Sequence, residues 1–288
     1  MDTALSELID LLTPKSTGSQ TFVARSDDPG WGRLYGGQVM AQALGAAEQT
    51  VDSGRCVHSL HAYFLRLGRP DVPLDIDVDA TRDGRSVSTR RVTVSQGSRA
   101  ILTLMASFQG NEEGLEHGEA PPEVPPPDDL VSMAVLSREV LDQMPEGLSR
   151  ALARPAPFEI RPVLPYNPMQ PDVRPPIRQT WYRASHALPD DPALHRRLLA
   201  WAADSHFLTT ATQPHGVSWM TPGMQVASID HAMWFHRDFR ADEWLLYDVV
   251  SPTLSNSRAL VRGRFFNRAG QLVATTAQEG LIRDRRRG

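Results

Sequence analysis

The chain reads as one folding unit written twice. Gly36-Gly37-Gln38 opens an apolar helix, and strand-like runs follow it, ending Ile101-Leu102-Thr103-Leu104-Met105-Ala106-Ser107-Phe108-Gln109. A second apolar helix surrounds Ala200-Trp201-Ala202-Ala203. Its strands end Leu272-Val273-Ala274-Thr275-Thr276-Ala277-Gln278. His-Ala-Tyr-Phe at 61–64 is echoed by His-Ala-Met-Trp-Phe at 231–235. Duplicated units stack about a pseudo-twofold axis, and one copy can then specialise as a site. The polar residues that interrupt the apolar pattern lie mainly in the second copy.

Within each copy the pattern is one helix followed by an antiparallel meander. Residues 3–12 form a short amphipathic helix stopped by Pro14, and 21–24 a strand. The helix from Gly36 to about Thr50 is apolar on nearly every side, which marks a buried helix. Gly45 in its middle weakens it relative to alanine, so close packing against a sheet is expected there. Strands follow at 57–66, 72–81, 85–95 and 99–109, with turn signals at Arg82-Asp83-Gly84 and Gln96-Gly97-Ser98. The second copy has a strand at 178–184 and a helix from Pro192 to about Phe207. Its strands fall at 224–236, 243–252, 256–266 and 271–283, with Ala269-Gly270 turning the last pair. Helices do not alternate with the strands, which excludes a parallel βαβ sheet and gives an α+β class. One central helix on an antiparallel sheet, made twice, is a double hot dog. The copies are expected to span 1–110 and 178–288. Residues 111–177 connect them. Fourteen of the 23 prolines fall between 110 and 178, which suits a stiff connector lying across a surface. Some helix is expected near 129–143 and extended chain near 157–164.

Composition narrows the function. A net charge of −4 argues against a nucleic-acid binder. Lys15 is the only lysine, a bias of composition rather than function. The single cysteine, Cys56, forbids an internal disulfide and disfavours a cysteine zinc site. Asp2, Glu7 and Asp10 do not read as a signal-peptide n-region. No run approaches a membrane span, and Arg285-Arg286-Arg287-Gly288 is not a peroxisomal address. A cytoplasmic protein with no cofactor is the expectation.

Three residues carry candidate chemistry. Asp204 follows an apolar helical run, and its helical neighbours Ala200, Trp201, Phe207 and Leu208 supply no cation. Such a carboxylate finds partners on another element or has its pKa raised, unless it simply caps a following turn. Gln278 lies on the apolar face of its strand with Leu272, Ala274, Thr276 and Ile282, where an amide needs partners. It is a site residue or a structural tie. Ser228 shares a strand face with Val226, Asp230 and Ala232, and a lone strand serine is commonly structural. No Gly-x-Ser-x-Gly elbow is present, since Gly216-Val217-Ser218-Trp219-Met220 lacks its second glycine. His58 and His61 point to opposite faces of one strand, and Asp230 and His231 also alternate, so neither pair suits a metal. Gly30-x-Gly32 lacks the third glycine of a dinucleotide fingerprint and its βαβ setting. Glu48 follows Ala46-Ala47 as Asp204 follows Ala202-Ala203 and is a candidate relic counterpart.

At these residues the chain resembles the acyl-CoA thioesterase II (TesB-type) family of double hot-dog thioesterases. The matching runs are Arg33-Leu34-Tyr35-Gly36-Gly37-Gln38-Val39, His58-Ser59-Leu60-His61-Ala62-Tyr63-Phe64-Leu65-Arg66 and Arg82-Asp83-Gly84. In the second copy they are Gln213-Pro214-His215-Gly216, Ser228-Ile229-Asp230-His231-Ala232-Met233-Trp234-Phe235-His236-Arg237 and Gln278-Glu279-Gly280. The likeness covers about 20–110 and 178–283. It implies hydrolysis of fatty acyl-CoA by a water held between an aspartate, a threonine and a glutamine. By position these are Asp204, Ser228 and Gln278, with serine where the family has threonine. The CoA nucleotide is expected at surface arginines, of which Arg66, Arg90 and Arg258 are candidates. An enoyl-CoA hydratase is disfavoured because its Gly-Asp-x-Asn-Pro stretch is missing. A non-catalytic acyl-CoA-binding or scaffold protein is the alternative from another class. Repeated units with exposed sheets suggest a homodimer or larger homo-oligomer.

Overall fold

The computed structural model describes residues 3–30, 32–138 and 140–286. Asp2, Arg287 and Gly288, and one residue each of the 28–32 loop and the 129–143 segment, lie outside the described residues.

Helix α1 (Thr3–Leu11) buries Leu5, Leu8 and Leu11. Short strands β1 (Lys15–Ser16) and β2 (Thr21–Ala24) follow. Helix α2 (Gly36–Glu48) is buried from Gly37 through Ala47, as its apolar circumference requires. Strands β3 (Cys56–Phe64), β4 (Leu74–Asp83), β5 (Val87–Gln96) and β6 (Arg99–Gln109) complete the first meander. The turns fall where glycine marks them, and Gly97 takes φ +59° between β5 and β6.

The connector holds two short helices, α3 (Met133–Arg138) and α4 (Glu146–Leu152). The first falls within the 129–143 stretch where some helix is expected, and the second lies beyond it, directly after Pro145. Strand β7 (Phe158–Pro162) pairs with β8 (Ile177–Ala184). The connector lies across the outer face of the second copy's part of the sheet. There Val124 and Leu130 pack against Trp181, Trp244, Leu246 and Phe266, and the Trp181 indole donates to the Pro125 carbonyl at 3.1 Å.

Helix α5 (Pro192–Ala203) starts as its sequence directs. Pro192 sits in the first turn, and the Asp191 carboxylate caps it by accepting from the Ala193 and Leu194 N–H groups at 3.0 and 3.3 Å. The helix stops at Ala203, short of the expected Phe207, and a 3-10 segment runs from Leu208 to His215. Strands β9 (Met224–Ser228), β10 (Asp230–Phe235), β11 (Leu245–Ser255), β12 (Arg258–Asn267) and β13 (Leu272–Asp284) follow. Asn256 and Ser257, both at positive φ, form the two-residue loop between β11 and β12, so the strand expected from 256 begins at Arg258. A register shift between Val250 and Thr253 surrounds Pro252, which has no N–H for the ladder.

Among the described residues the strands form one antiparallel sheet, ordered β1-β2-β4-β5-β6-β3-β10-β13-β12-β11-β8-β7, with β9 also paired to β13. The two copies join through β3 and β10, where His61 lies opposite Ala232 and Ala62 opposite His231. The central helices α2 and α5 pack together in the shared core. Gly45 is packed closely, as expected, but not against a sheet. A Cβ there would stand 2.9 Å from the Leu12 carbonyl and 3.2 Å from Arg197 Cδ on α5.

Candidate active site

Asp204 is the residue on which α5 ends. Two phenols fix that last turn: Tyr35 donates to the Trp201 carbonyl at 2.8 Å and Tyr247 to the Ala203 carbonyl at 3.0 Å. Burial pushes both phenols well above their usual range, so both remain donors. The Asp204 side chain is 8% exposed. Its partner comes from the other copy. The Gly37 N–H donates to Asp204 Oδ2 at 2.9 Å. That N–H is one of the free donors at the positive end of α2. Tyr35, ahead of the helix, provides no side-chain cap, and the Asp204 carboxylate takes that place. The approach requires Gly36-Gly37. A Cβ on Gly36 would lie 2.7 Å from Asp204 Oδ2, and one on Gly37 2.5 Å from the Trp201 carbonyl oxygen.

Gln278 is 1% exposed on the inward face of β13. Its Nε2 donates to Ser228 Oγ at 2.5 Å, and the amide stands on the Asp204 side, where it favours the charged carboxylate. Its Oε1 meets His231 Nδ1 at 3.0 Å. The three residues singled out from the sequence therefore meet through one amide. His231 is the member that the sequence did not disclose. It is fully buried, its Nδ1 stands 4.0 Å from Asp204 Oδ1, and Phe207 lies against its ring.

A backbone irregularity explains both placements. The expected strand 224–236 is two strands with Ile229 between them, and the pairing to β13 slips by one residue across the break. Alternation resets there. Ser228 faces inward toward Gln278, whereas Asp230 binds exposed His61 at 3.2 Å and accepts the Glu279 N–H at 2.7 Å. Ser228 and Asp230 thus do not share a face, and His231 turns inward beside Ser228.

The electrostatics follow from burial. Desolvation raises the Asp204 carboxyl, while His231, the Gly37 N–H and the Gln278 amide oppose the rise. Desolvation lowers His231, with Asp204 opposing. His231 is accordingly a neutral ring donating from Nδ1, and its unprotonated Nε2 has no hydrogen-bond partner among the described residues. That donation directs the Gln278 NH₂ toward Ser228 and Asp204, so Asp204 and Ser228 present oxygens around one amide.

The remaining candidates lie elsewhere. Arg90 is 2% exposed, not at the surface, and bonds Asp83, the Arg82 and Thr89 carbonyls and Thr50. Arg66 is exposed and donates to the Ala100 carbonyl. Arg258 pairs with Glu279 at 2.9 Å. Glu48 forms a buried ion pair with Arg197 at 3.1 Å, and desolvation lifts its carboxyl to about 7. His58 binds Ser107 Oγ at 2.8 Å and His61 binds Asp230, which keeps the two rings apart.

The fold is that of a double hot dog, and this acid, hydroxyl and amide cluster is its candidate active site. Comparison with known proteins carries the assignment further. A family model described as acyl-CoA thioesterase matches residues 153–281, and one described as acyl-CoA thioesterase N-terminal domain matches 25–109. Acyl-CoA thioesterase 2 of Haemophilus influenzae is 38% identical over 98% of this chain and 99% of its own length. The crystal structure of acyl-CoA thioesterase II TesB2 from Mycobacterium marinum superposes with TM-score 0.78 at 36% identity, covering 96% of this chain and 97% of that one. A hot-dog protein from Alicyclobacillus acidocaldarius reaches TM-score 0.78 at 19% identity, over 96% and 98% of the two chains, and attests the fold. The chain belongs to the acyl-CoA thioesterase II (TesB-type) family and is a thioester hydrolase.

Proposed function

We propose that the chain hydrolyses fatty acyl-CoA to free acid and CoA by direct attack of a water held among Asp204, Ser228 and Gln278. The carrying observation is that buried Gln278 bonds both Ser228 Oγ, at 2.5 Å, and the His231 ring, whose Nδ1 stands 4.0 Å from Asp204 Oδ1. Asp204 is the general base. Burial raises its proton affinity toward the working range, where a carboxylate accepts a proton from water more effectively. Ser228 and Gln278 hold the water in line with the thioester carbon, which replaces a diffusive encounter by an oriented one. The water's oxygen bonds to the carbonyl carbon, the carbon–sulfur bond breaks, and the proton taken by Asp204 is available to the leaving thiolate. The positive end of α2 lies beside the reacting atoms and favours the charge that develops on the thioester oxygen. The acyl chain lies between the helices and the sheet.

Ser228 orients the water rather than attacking. Its Oγ accepts from an amide donor, and an amide takes no proton from it. Thiol release from a chain-length series of acyl-CoA esters, with mass spectrometry of the quenched protein, tests the proposal. The expected result is free CoA with no acyl adduct on Ser228. Tight binding of the ester without thiol release would favour the non-catalytic binding protein. An acyl-serine adduct would overturn the direct mechanism.

A further inference from the structure

Two buried hydroxyls outside the cluster of Asp204, Ser228 and Gln278 join the elements that carry it. Thr276 is 3% exposed and Tyr247 is 2% exposed. Thr276 lies two residues before Gln278, so both side chains point to the inward face of β13. Tyr247 stands on β11, two strands away, and the two hydroxyls meet across β12 at 2.9 Å. They can meet because Gly263 of β12 is the residue opposite Thr276. A Cβ on Gly263 would press into the Tyr247 ring and stand 2.5 Å from Thr276 Oγ1. Phe265 steadies the phenol by stacking, with ring centroids 3.8 Å apart. The Tyr247 hydroxyl also reaches the Ala203 carbonyl at 3.0 Å. That oxygen is among the last four carbonyls of α5, which have no intrahelical partner. A carbonyl only accepts, so the single phenol proton goes to it, and Thr276 donates to the phenol oxygen. The bridge therefore runs in one direction, from Thr276 through Tyr247 to the Ala203 carbonyl.

Both ends of the bridge adjoin a residue of the reaction. Asp204 directly follows Ala203. Gln278 lies one inward place beyond Thr276, roughly 7 Å along the strand. The base thus rides on a helix end and the amide on a strand, and the gap between them decides whether one water fits both. We propose that Thr276 and Tyr247 are positioning residues that set the gap between Asp204 and Gln278, and with it the seat of the attacking water. Tyr35 ties the same end of α5 to the first copy through the Trp201 carbonyl, but only the Tyr247 tie leads to the strand of Gln278. The first copy shows the contrast. There Ala47 precedes Glu48 as Ala203 precedes Asp204, and its carbonyl accepts from its own chain, from Thr50 Oγ1 at 2.8 Å. Among the described residues no phenol reaches it. The copy whose acid is paired with Arg197 is the copy without the bridge. The proposal rests on the reading of Asp204 as the base.

The test sets wild type beside Tyr247→Phe, Thr276→Val, the double variant and Thr276→Ser. Tyr247→Phe and Thr276→Val each lower kcat for acyl-CoA by roughly tenfold to a hundredfold, the scale of a misplacement of about 1 Å. KM stays near wild type. The double variant falls no further than the slower single variant, because either change breaks the same bridge. Thr276→Ser keeps the hydroxyl and recovers most of the rate. The pH profile adds a readout that lost stability alone does not move. The titratable groups facing Asp204 are His231 from β10, Tyr35 from the turn before α2 and Tyr247 from β11. Burial raises the Asp204 carboxyl, and His231 and Gln278 hold it down. A helix end that drifts from both lets it rise, so the acid limb of kcat/KM moves to higher pH in each single variant. Thr276→Val leaves the phenol in place and carries the comparison if Tyr247→Phe does not fold. A lower melting temperature with wild-type kcat and an unmoved acid limb would overturn the proposal and leave the bridge purely structural. Losses that multiply in the double variant would overturn it too, because they would report two separate roles. Asp204→Asn is measured alongside. If it is inactive while both bridge variants run at the wild-type rate, only the bridge falls. Wild-type turnover in Asp204→Asn removes the base and, with it, the role of the bridge.

Discussion

His231 is the residue that gives Gln278 its direction. An amide can present either end, and here the neutral ring donates to Oε1, so the NH₂ faces Ser228 and Asp204. His231→Leu removes that donor and leaves a buried acceptor unsatisfied, a loss of about 1–3 kcal/mol. The expected outcome is a fall in kcat of roughly tenfold or more with little change in KM. His231→Asn, which returns an N–H near the Nδ1 position, recovers most of it. A merely structural histidine would lower the melting temperature and leave kcat intact. Gln278 was legible from β-alternation alone, as a large amide on an apolar face. Asp204 was legible as a carboxylate without a helical cation, and the structure supplies both consequences, a partner on another element and a raised proton affinity. His231 was hidden by the break at Ile229. A strict two-residue period carried across that break puts Ser228 with Asp230 and turns His231 away.

At the scale of elements, the site exists because the start of α2 meets the end of α5. Gly37 permits it, since a methyl there would press on the Trp201 carbonyl of α5, which has no side-chain freedom to yield. Gly37→Ala is expected to cost about 1–3 kcal/mol of stability through overpacking. It also lowers kcat, because the donor to Asp204 moves with the helix. Calorimetry and steady-state kinetics on one preparation check both. Wild-type stability and rate in this variant would show that the contact between the copies is dispensable. Element order and most turns followed from periodicity and glycine. The Asn256-Ser257 loop did not, because neither residue is a glycine although both take positive φ. In the connector the stretches expected to be helical near 129–143 and extended near 157–164 hold α3 and β7, whereas α4, 7 residues long, is too short to show a period.

At the scale of the whole molecule the two copies are asymmetric. The His-Ala echo misleads by one residue, since Phe64 and Phe235 both turn to the core whereas His61 is exposed and His231 is buried. Matching the two phenylalanines sets Leu60 at the place of His231, and Ala106, the cross-strand partner of Leu60, at that of Gln278. Glu48 matches Asp204 at the end of the helix, but Arg197 from α5 pairs with it. At these places the first copy thus has neither the amide nor the ring, and its acid is paired with Arg197, which ties α2 to α5. Its carboxyl sits at about 7 against an ordinary 4.5 because burial favours the protonated form. That contribution to stability is present in full below 4.5 and is lost as the pH rises through 7. Glu48→Gln is expected to flatten the melting temperature against pH across that window. An unaltered profile would place the pH dependence on another group.

The most direct measurement is thiol release by Asp204→Asn beside wild type, followed across pH together with thermal melting. Wild-type kcat/KM should fall as the pH drops through the raised Asp204 titration, above the ordinary aspartate value of 3.8, because the base must be ionised to accept a proton. Asparagine keeps the size and an acceptor for Gly37 but cannot take the proton. The account predicts at least about a hundredfold lower kcat, a similar KM and a melting temperature no lower than wild type, since a buried charge has been removed. A folded Asp204→Asn protein releasing CoA at the wild-type rate would contradict it.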